Sequence, residues 1–305
     1  MKILLTGSKS MVGRAIVRHN NNRLEIIEDN HKYDLTDIIQ TEQLFHETKP
    51  THVIHLASLN GNILFNNKYP ADIFYTTSSI AMNVLKISQK YNIKKIVSAI
   101  SSCSYPDNKD LLVEEEFWSG EPHTSVDAHG FSKRFILEYG RQLYKQYGLI
   151  STGMCFNTCY GPYDNFNLDK TKVIGSLIKK FIDARSQNLS NVEIWGTGSP
   201  KREFIYVDDV AKFIFMVMDK YSDPFYPINI GSGKDISIFD LAYLIKDISK
   251  FNGDIIFNNS KPDGQMKKLL CNIKMQKYFG PQEFITLREG IERTIDWYES
   301  KHHSS

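Results

Sequence analysis

Three residues of this 305-residue chain have the types and spacing for a carbonyl reduction: Ser101, His129 and Lys133. His129 and Lys133 lie four apart in "DAHGFSKR", one helical turn, so they share a helix face. Phe131, Phe135 and Tyr139 fall on roughly the opposite side, where they suit packing. Ser101 closes the apolar run "KKIVSAISS", read as a parallel strand, and ligands in such sheets bind beyond the carboxyl ends of the strands. Reducing a carbonyl takes a hydride donor, a proton donor and a group that polarises the oxygen. The serine hydroxyl can hydrogen-bond that oxygen. The lysine can hold a nicotinamide ribose, and the histidine, as imidazolium, can give the proton. A lysine next to a histidine opposes its protonation, so this acid needs a compensating carboxylate, and Asp127 is close in sequence. Each residue also has a plainer reading, because a lone helical histidine is usually structural and paired serines after a strand are common.

The elements that would position these residues start at the N-terminus. "KILLT" (2–6) is a short buried strand, and "GSKSMVG" follows it before a helix-like segment. Gly7 lets the chain leave the strand sharply, and Gly13 permits close helix–strand packing. Backbone N–H groups of Ser8, Lys9, Ser10, Met11 and Val12 can then cradle a pyrophosphate. Ser10 stands where a middle glycine is usual, which leaves a two-glycine turn that could also be purely structural. Lys9 could pair with a 2′-phosphate and favour NADP(H). Glu28 and Asp29, ending the second apolar run, could bind a ribose 2′-OH and favour NAD(H). Asp34 and Leu35, in "DLTD", could line an adenine, or the segment could cap the next helix.

Further apolar runs at "PTHVIHLAS" and "GLISTGMCFN" alternate with helical patterns such as "SIAMNVLKISQKYN". Strands separated by helices predict an α/β fold with a Rossmann-type, doubly wound parallel sheet. Residues 1–163 form the predicted dinucleotide-binding domain, to which the chain returns around 204–222. Residues 164–305 form a smaller α/β substrate lobe. Charged residues are 24% and the formal net charge is +2, with no basic stripe, which argues against nucleic acid as a partner. The four cysteines form no C-x-x-C pair and suggest no metal site or disulfide framework. With no signal-peptide pattern or membrane-length apolar stretch, a cytoplasmic setting is expected.

"TGSKSMVG", "THVIHLAS", "SSCSYP", "HGFSK", "YGPYDNFN", "VEIWGTGSPKREFIYVDDVA" and "KPDGQMKKLL" occur in this order. Together they resemble the extended short-chain dehydrogenase/reductases, and within them the GDP-L-fucose synthase family. That resemblance implies NADPH-dependent 3,5-epimerisation and 4-reduction of GDP-4-keto-6-deoxy-D-mannose by a homodimer. It casts Ser101 as the carbonyl-binding serine, Lys133 as the catalytic lysine and Cys103 as the acid or base of epimerisation. It assigns Trp195, Arg202 and Asp263 to the GDP-sugar, with Lys180 near another such position, and Asn157 to a segment near the nicotinamide. Two positions depart from the pattern: the family's catalytic tyrosine falls on His129, and its second epimerase residue, a histidine, falls on Lys172. A lysine of ordinary pKa near ~10.4 is a poor base at neutral pH. The expected activity is therefore reduction of a GDP-4-keto-6-deoxy sugar, hexose or heptose, with epimerisation reduced or lost. The alternatives are the bifunctional synthase and a low-turnover nucleotide-sugar and dinucleotide binder. The dimer is expected on the helix after His129 and the helix near Ser79–Tyr91, with Phe135, Tyr139 and Leu143 on its face.

Overall fold

The structure, a computed structural model, describes residues 1–20, 24–29, 32–168, 170–261, 263 and 265–302. The chain begins in the middle of its main sheet. Strand β1 (Lys2–Thr6) turns into helix α1 (Met11–Asn20), and β2 (Glu25–Glu28) pairs with one side of β1. Helix α2 (Ile38–Thr48) carries the chain to β3 (His52–His55) on the other side of β1. Helices α3 (Ile63–Lys68) and α4 (Pro70–Lys90) precede β4 (Lys95–Ser101), and α5 (Asp127–Tyr147) precedes β5 (Ile150–Phe156). Then come β6 (Thr158–Tyr160), α6 (Val173–Ser186), β7 (Asn191–Trp195), β8 (Lys201–Arg202), β9 (Phe204–Tyr206), α7 (Val207–Lys220) and β10 (Ile228–Ile230). The chain closes with β11 (Ile236–Ser237), α8 (Ile238–Ile248), β12 (Asp254–Asn258), β13 (Lys267–Lys268), α9 (Ile273–Phe279) and α10 (Leu287–His302).

The main sheet is ordered β10-β5-β4-β3-β1-β2 with every pairing parallel, the doubly wound fold the alternation predicts. Strand order reverses between β1 and β3, which opens a crevice at their carboxyl ends. Local chemistry sets the element ends. Asp37 caps α2 by accepting from the N–H groups of Ile39 and Gln40. Pro70 starts α4 at a position where its missing N–H costs nothing. Gly148, at φ 71°, ends α5 with its N–H on Tyr144 O.

The strands are buried on both faces, as parallel strands must be. Leu4, Val53, Ile96 and Ile100 pack toward α4 and α5. Ile3, Leu5, Ile54 and Val97 face α1 and α7, in a core that runs on without a break through Phe181, Leu241 and Ile291. The second lobe thus shares its core with the sheet. Strand β10, which follows the 204–222 stretch expected to return to the first lobe, forms one edge of the main sheet. Among the described residues no helix is long and apolar enough to cross a membrane.

Candidate active site

The glycine turn is built as strictly as its glycines suggest. Gly7 is at φ 74°, and a Cβ there would lie 3.0 Å from Ala57 N. A Cβ on Gly13 would lie 2.4 Å from Gly7 O. Ser10, the departure from the three-glycine pattern, acts as the N-cap of α1: its Oγ accepts from Gly13 N at 3.1 Å. The helix N-terminus beside it keeps the donors and the dipole that suit a phosphate. Asp29 is buried and turned inward, accepting from Gly7 N (2.7 Å) and Ser8 Oγ (2.8 Å). It holds the turn rather than facing a ribose. Glu28 is half-buried at the end of β2, and Lys9 is exposed on the turn. The Leu35 side chain is buried in the core. Asp34 is exposed and accepts from Thr36 N at 2.8 Å. The turn, the two Cβ-free positions and the helix start fit a dinucleotide.

Ser101 ends β4, and its Oγ accepts from Cys103 N at 3.2 Å, starting the short 3-10 turn Ser102–Ser104. The start of α5 is pressed onto that turn, since a Cβ on Gly130 would lie 2.5 Å from Cys103 O. The buried face of α5 carries His129 and Lys133, both 3% exposed, on the helix pressed against the turn that follows Ser101. Burial pushes the Lys133 ammonium down to about 8, and the charge of Lys172 adds to this. Burial holds His129 well below the usual imidazole range, reinforced by Lys133, Lys172 and Lys268. Its Nδ1 is buried without a hydrogen-bond partner among the described residues. The Asp127 carboxylate accepts from Ala128 N at the head of its own helix. This burial and these cations work against the imidazolium form expected from sequence for His129 as proton donor.

His55 joins this site without having been singled out from sequence. It is fully buried at the end of β3, with Nδ1 2.9 Å from Thr6 Oγ1. That oxygen accepts from Leu56 N and Ala57 N, which leaves its own proton for Nδ1. Burial, then the Lys133 charge, lowers His55 to about 3. Its Nε2 and the Oγ of Ser98, its register partner on β4, both lack a partner among the described residues. The available signal was a histidine at the carboxyl end of a strand.

Cations gather on the other side of Cys103. Lys268 Nζ donates to Cys103 Sγ at 3.3 Å. Arg202 is the register partner of Lys268 across the β8–β13 pair. Lys172 is exposed just before α6, and its charge reaches Cys103, His129 and Lys133. Asp164 partners that corner: burial raises its carboxyl to about 6, against the pull of Lys172. Lys268 was not singled out from sequence, although it sits in the quoted "KPDGQMKKLL" segment.

The residues assigned to the sugar nucleotide line the second lobe's face. Trp195 is 49% exposed, with Lys261 Nζ 5.2 Å from its ring centroid. Asp263 accepts from Thr197 N (2.7 Å) and Thr197 Oγ1 (2.9 Å), which stabilises the left-handed Gly196 turn after Trp195. Arg202 is held by Lys201 O and Gln265 O. Lys180 Nζ donates to Glu193 O at 2.8 Å. Asn157 donates its side-chain amide to buried Glu203 at 2.6 Å, so its side chain ties lobes together. Among the described residues no cluster of three or more His, Cys, Asp or Glu could hold a metal.

Comparisons with known proteins bear on this arrangement. The family model described as NAD dependent epimerase/dehydratase family matches residues 3–231. A GDP-L-fucose synthase of Dictyostelium discoideum is 33% identical, covering 97% of this chain and 94% of the relative. A GDP-L-fucose synthetase from Naegleria fowleri bound to NADP superposes with a TM-score of 0.91 at 27% identity, over 99% of this chain and 95% of that one. A GDP-6-OMe-4-keto-L-xylo-heptose reductase from C. jejuni gives a TM-score of 0.91 at 29% identity, over 99% of this chain and 98% of that one.

Proposed function

Because the chain belongs to the NAD dependent epimerase/dehydratase family, and within it to the GDP-L-fucose synthase group, we propose that it reduces a GDP-linked 4-keto-6-deoxy sugar with NADPH and that its epimerase activity is reduced or lost. What supports this is the burial of His129 and Lys133 on the helix pressed against the turn after Ser101, with the charges of Lys172 and Lys268 acting on His129 and Arg202 beside Lys268. Those cations suit a diphosphate, and Trp195 offers a face for a base or sugar.

NADPH, when bound, supplies the hydride. Ser101 hydrogen-bonds the carbonyl oxygen. A neutral His129 relays the proton: one ring nitrogen gives its hydrogen to the alkoxide while the other receives one from the Lys133 ammonium. Lys133 ends as the amine and the alkoxide as the alcohol. The test is oxidation of NADPH by the purified protein with GDP-4-keto-6-deoxymannose present. No oxidation with either reduced coenzyme would overturn the reading.

Asp29 is engaged with the turn, and Lys9, exposed on that turn, is the residue this reading assigns to a 2′-phosphate. Lys9→Glu should weaken NADPH roughly tenfold, about 1.4 kcal/mol, and NADH little. Fluorescence titration with both coenzymes measures this, and equal loss for both would remove Lys9 from the explanation.

A bifunctional enzyme is the second reading, favoured by the Cys103–Lys268 contact. With Lys172 in place of a second base, deuterium uptake at C3 and C5 in D₂O without reduced coenzyme should be slow or confined to one carbon. Rapid uptake at both, followed by proton NMR, would establish the bifunctional enzyme. A homodimer fits the exposed apolar side chains Phe74, Tyr75 and Met82 on α4 and Phe131 on α5. Leu143, expected on that face, is 4% exposed and belongs to the core. A monomeric mass at micromolar concentration would argue against the dimer.

A further inference from the structure

We propose that Lys268 is the positioning residue that holds Cys103 as a thiolate, which makes Cys103 the cysteine of this chain that acts as a base and reacts with electrophiles. This rests on the reading of Cys103 as a proton-transfer residue and goes beyond it by naming what activates the sulfur.

The geometry is specific. Strand β13 pairs in parallel with β8, which sets Lys268 beside Arg202. From there Lys268 Nζ donates to Cys103 Sγ at 3.3 Å, across 165 residues of sequence. The 3-10 turn fixes the thiol's position through Ser101, whose Oγ accepts from Cys103 N. The charges acting on Cys103 itself come from lysine and arginine side chains, while the carboxylates of Glu114 and Glu203 act on Cys155. Strand β13 gives Lys268, β8 gives Arg202, the start of α6 gives Lys172, and β5 gives the buried thiol of Cys155. Helix α5 adds neutral His129, Lys133, and Arg134, whose Nε donates to Ser104 O at 2.6 Å. Burial alone would raise the Cys103 thiol, but the Lys268 charge, the Ser101 and Lys268 hydrogen bonds and the Lys172 charge outweigh it, and the net direction is down. Thiolates arise in such electropositive, partly exposed settings. Cys103 is half-exposed, whereas Cys155, Cys159 and Cys271 are buried. Burial moves Cys155 and Cys159 the opposite way, upward.

The step this allows is balanced. The thiolate sulfur takes a proton from the carbon beside the sugar carbonyl. The C–H bond breaks, an S–H bond forms, and the electron pair moves onto the carbonyl oxygen as an enolate that Ser101 hydrogen-bonds. Return from the same sulfur exchanges the hydrogen without inversion. Inversion needs a proton from the opposite face of the sugar.

The experiment alkylates the full-length protein with iodoacetamide across pH 5.5–9.5 and reads each cysteine by peptide mass spectrometry. Cys103 should label first, with its rate at half-plateau below the free-thiol value of about 8.5. Lys268→Met should move that midpoint up by about one unit and slow labelling at pH 7 about tenfold, while Lys268→Arg should restore the wild-type profile. Coenzyme binding by each variant reports that it is folded, and Lys268→Gln serves if the Met variant is not. A wild-type midpoint at the free-thiol value, or one that Lys268→Met leaves unmoved, would overturn the proposal. The labelling needs no turnover, so a failure to oxidise NADPH counts against the reductase reading alone.

Discussion

Lys133→Met should lower kcat/KM by roughly 10²–10⁴-fold, the span of a lost proton-transfer group, and at the same time raise the melting temperature. The side chain is 3% exposed, and burial brings its ammonium from an ordinary 10.5 to about 8. That difference corresponds to a cost on the order of 3 kcal/mol for keeping the buried group charged. Methionine is unbranched and apolar, so it fills the space without that cost, and a gain on the order of 1–3 kcal/mol is expected at pH 7. The direction with pH follows from linkage. The folded value lies below the unfolded one, so the folded state binds fewer protons between about 8 and about 10.5. Wild-type stability attributable to Lys133 therefore rises with pH across that window, and the advantage of the variant should shrink from pH 7 to pH 10. The relay through His129 requires the charged ammonium, so wild-type kcat/KM should fall as pH rises through about 8. Melts of both proteins at the two pH values, with a pH profile of NADPH oxidation, measure all of this. An active Lys133→Met protein, or one less stable at pH 7, would remove Lys133 from both roles.

Glu203→Leu should be the most destabilising single change at the junction of the lobes. Glu203 is 1% exposed, and its carboxylate accepts from Asn157 Nδ2 (2.6 Å), Gly233 N (2.8 Å), Leu270 N (3.1 Å) and Ser232 Oγ (3.4 Å). Burial raises its carboxyl, while those donors pull it back. Leucine has similar bulk but accepts nothing, which leaves buried donors without partners at about 1–3 kcal/mol each. A loss on the order of 3–5 kcal/mol follows, a large fraction of the ~5–15 kcal/mol that holds a protein folded. Chemical denaturation should show it. Glu203→Gln keeps one acceptor oxygen and should lose less. A Leu variant as stable as wild type would mean that these donors find other acceptors.

The difference between what was legible and what was not follows the distance over which each residue is decided. The glycine turn, the strand-and-helix alternation and the pairing of His129 with Lys133 depend on neighbours in sequence, and the structure has them in those places. Ser10 looked like a weakness in the turn, because a side chain's choice to cap a helix is settled by backbone angles rather than residue type. How far Leu35 of "DLTD" is buried was not legible, because it is set by the core it joins beside Leu44, Phe45 and Val84. The downward pull on the His129 imidazole depends on burial and on Lys172 and Lys268, which lie on other elements far along the chain. The same holds for Cys103, whose lysine arrives from β13. His55 escaped notice because nothing local distinguishes a catalytic-side histidine from one that merely ends a strand.

The inward-facing carboxylate of Asp29 has a consequence for how coenzyme preference can drift. At the end of the second strand, an acid is the residue that mutation would ordinarily exchange when a lineage trades one dinucleotide for the other. Here that acid is bonded to the N–H of Gly7 and the hydroxyl of Ser8, so any replacement breaks the turn before it alters the choice. Selection can act on Lys9 and Glu28, while position 29 is closed to it. An engineer redesigning the preference inherits the same restriction and has those two positions to work with.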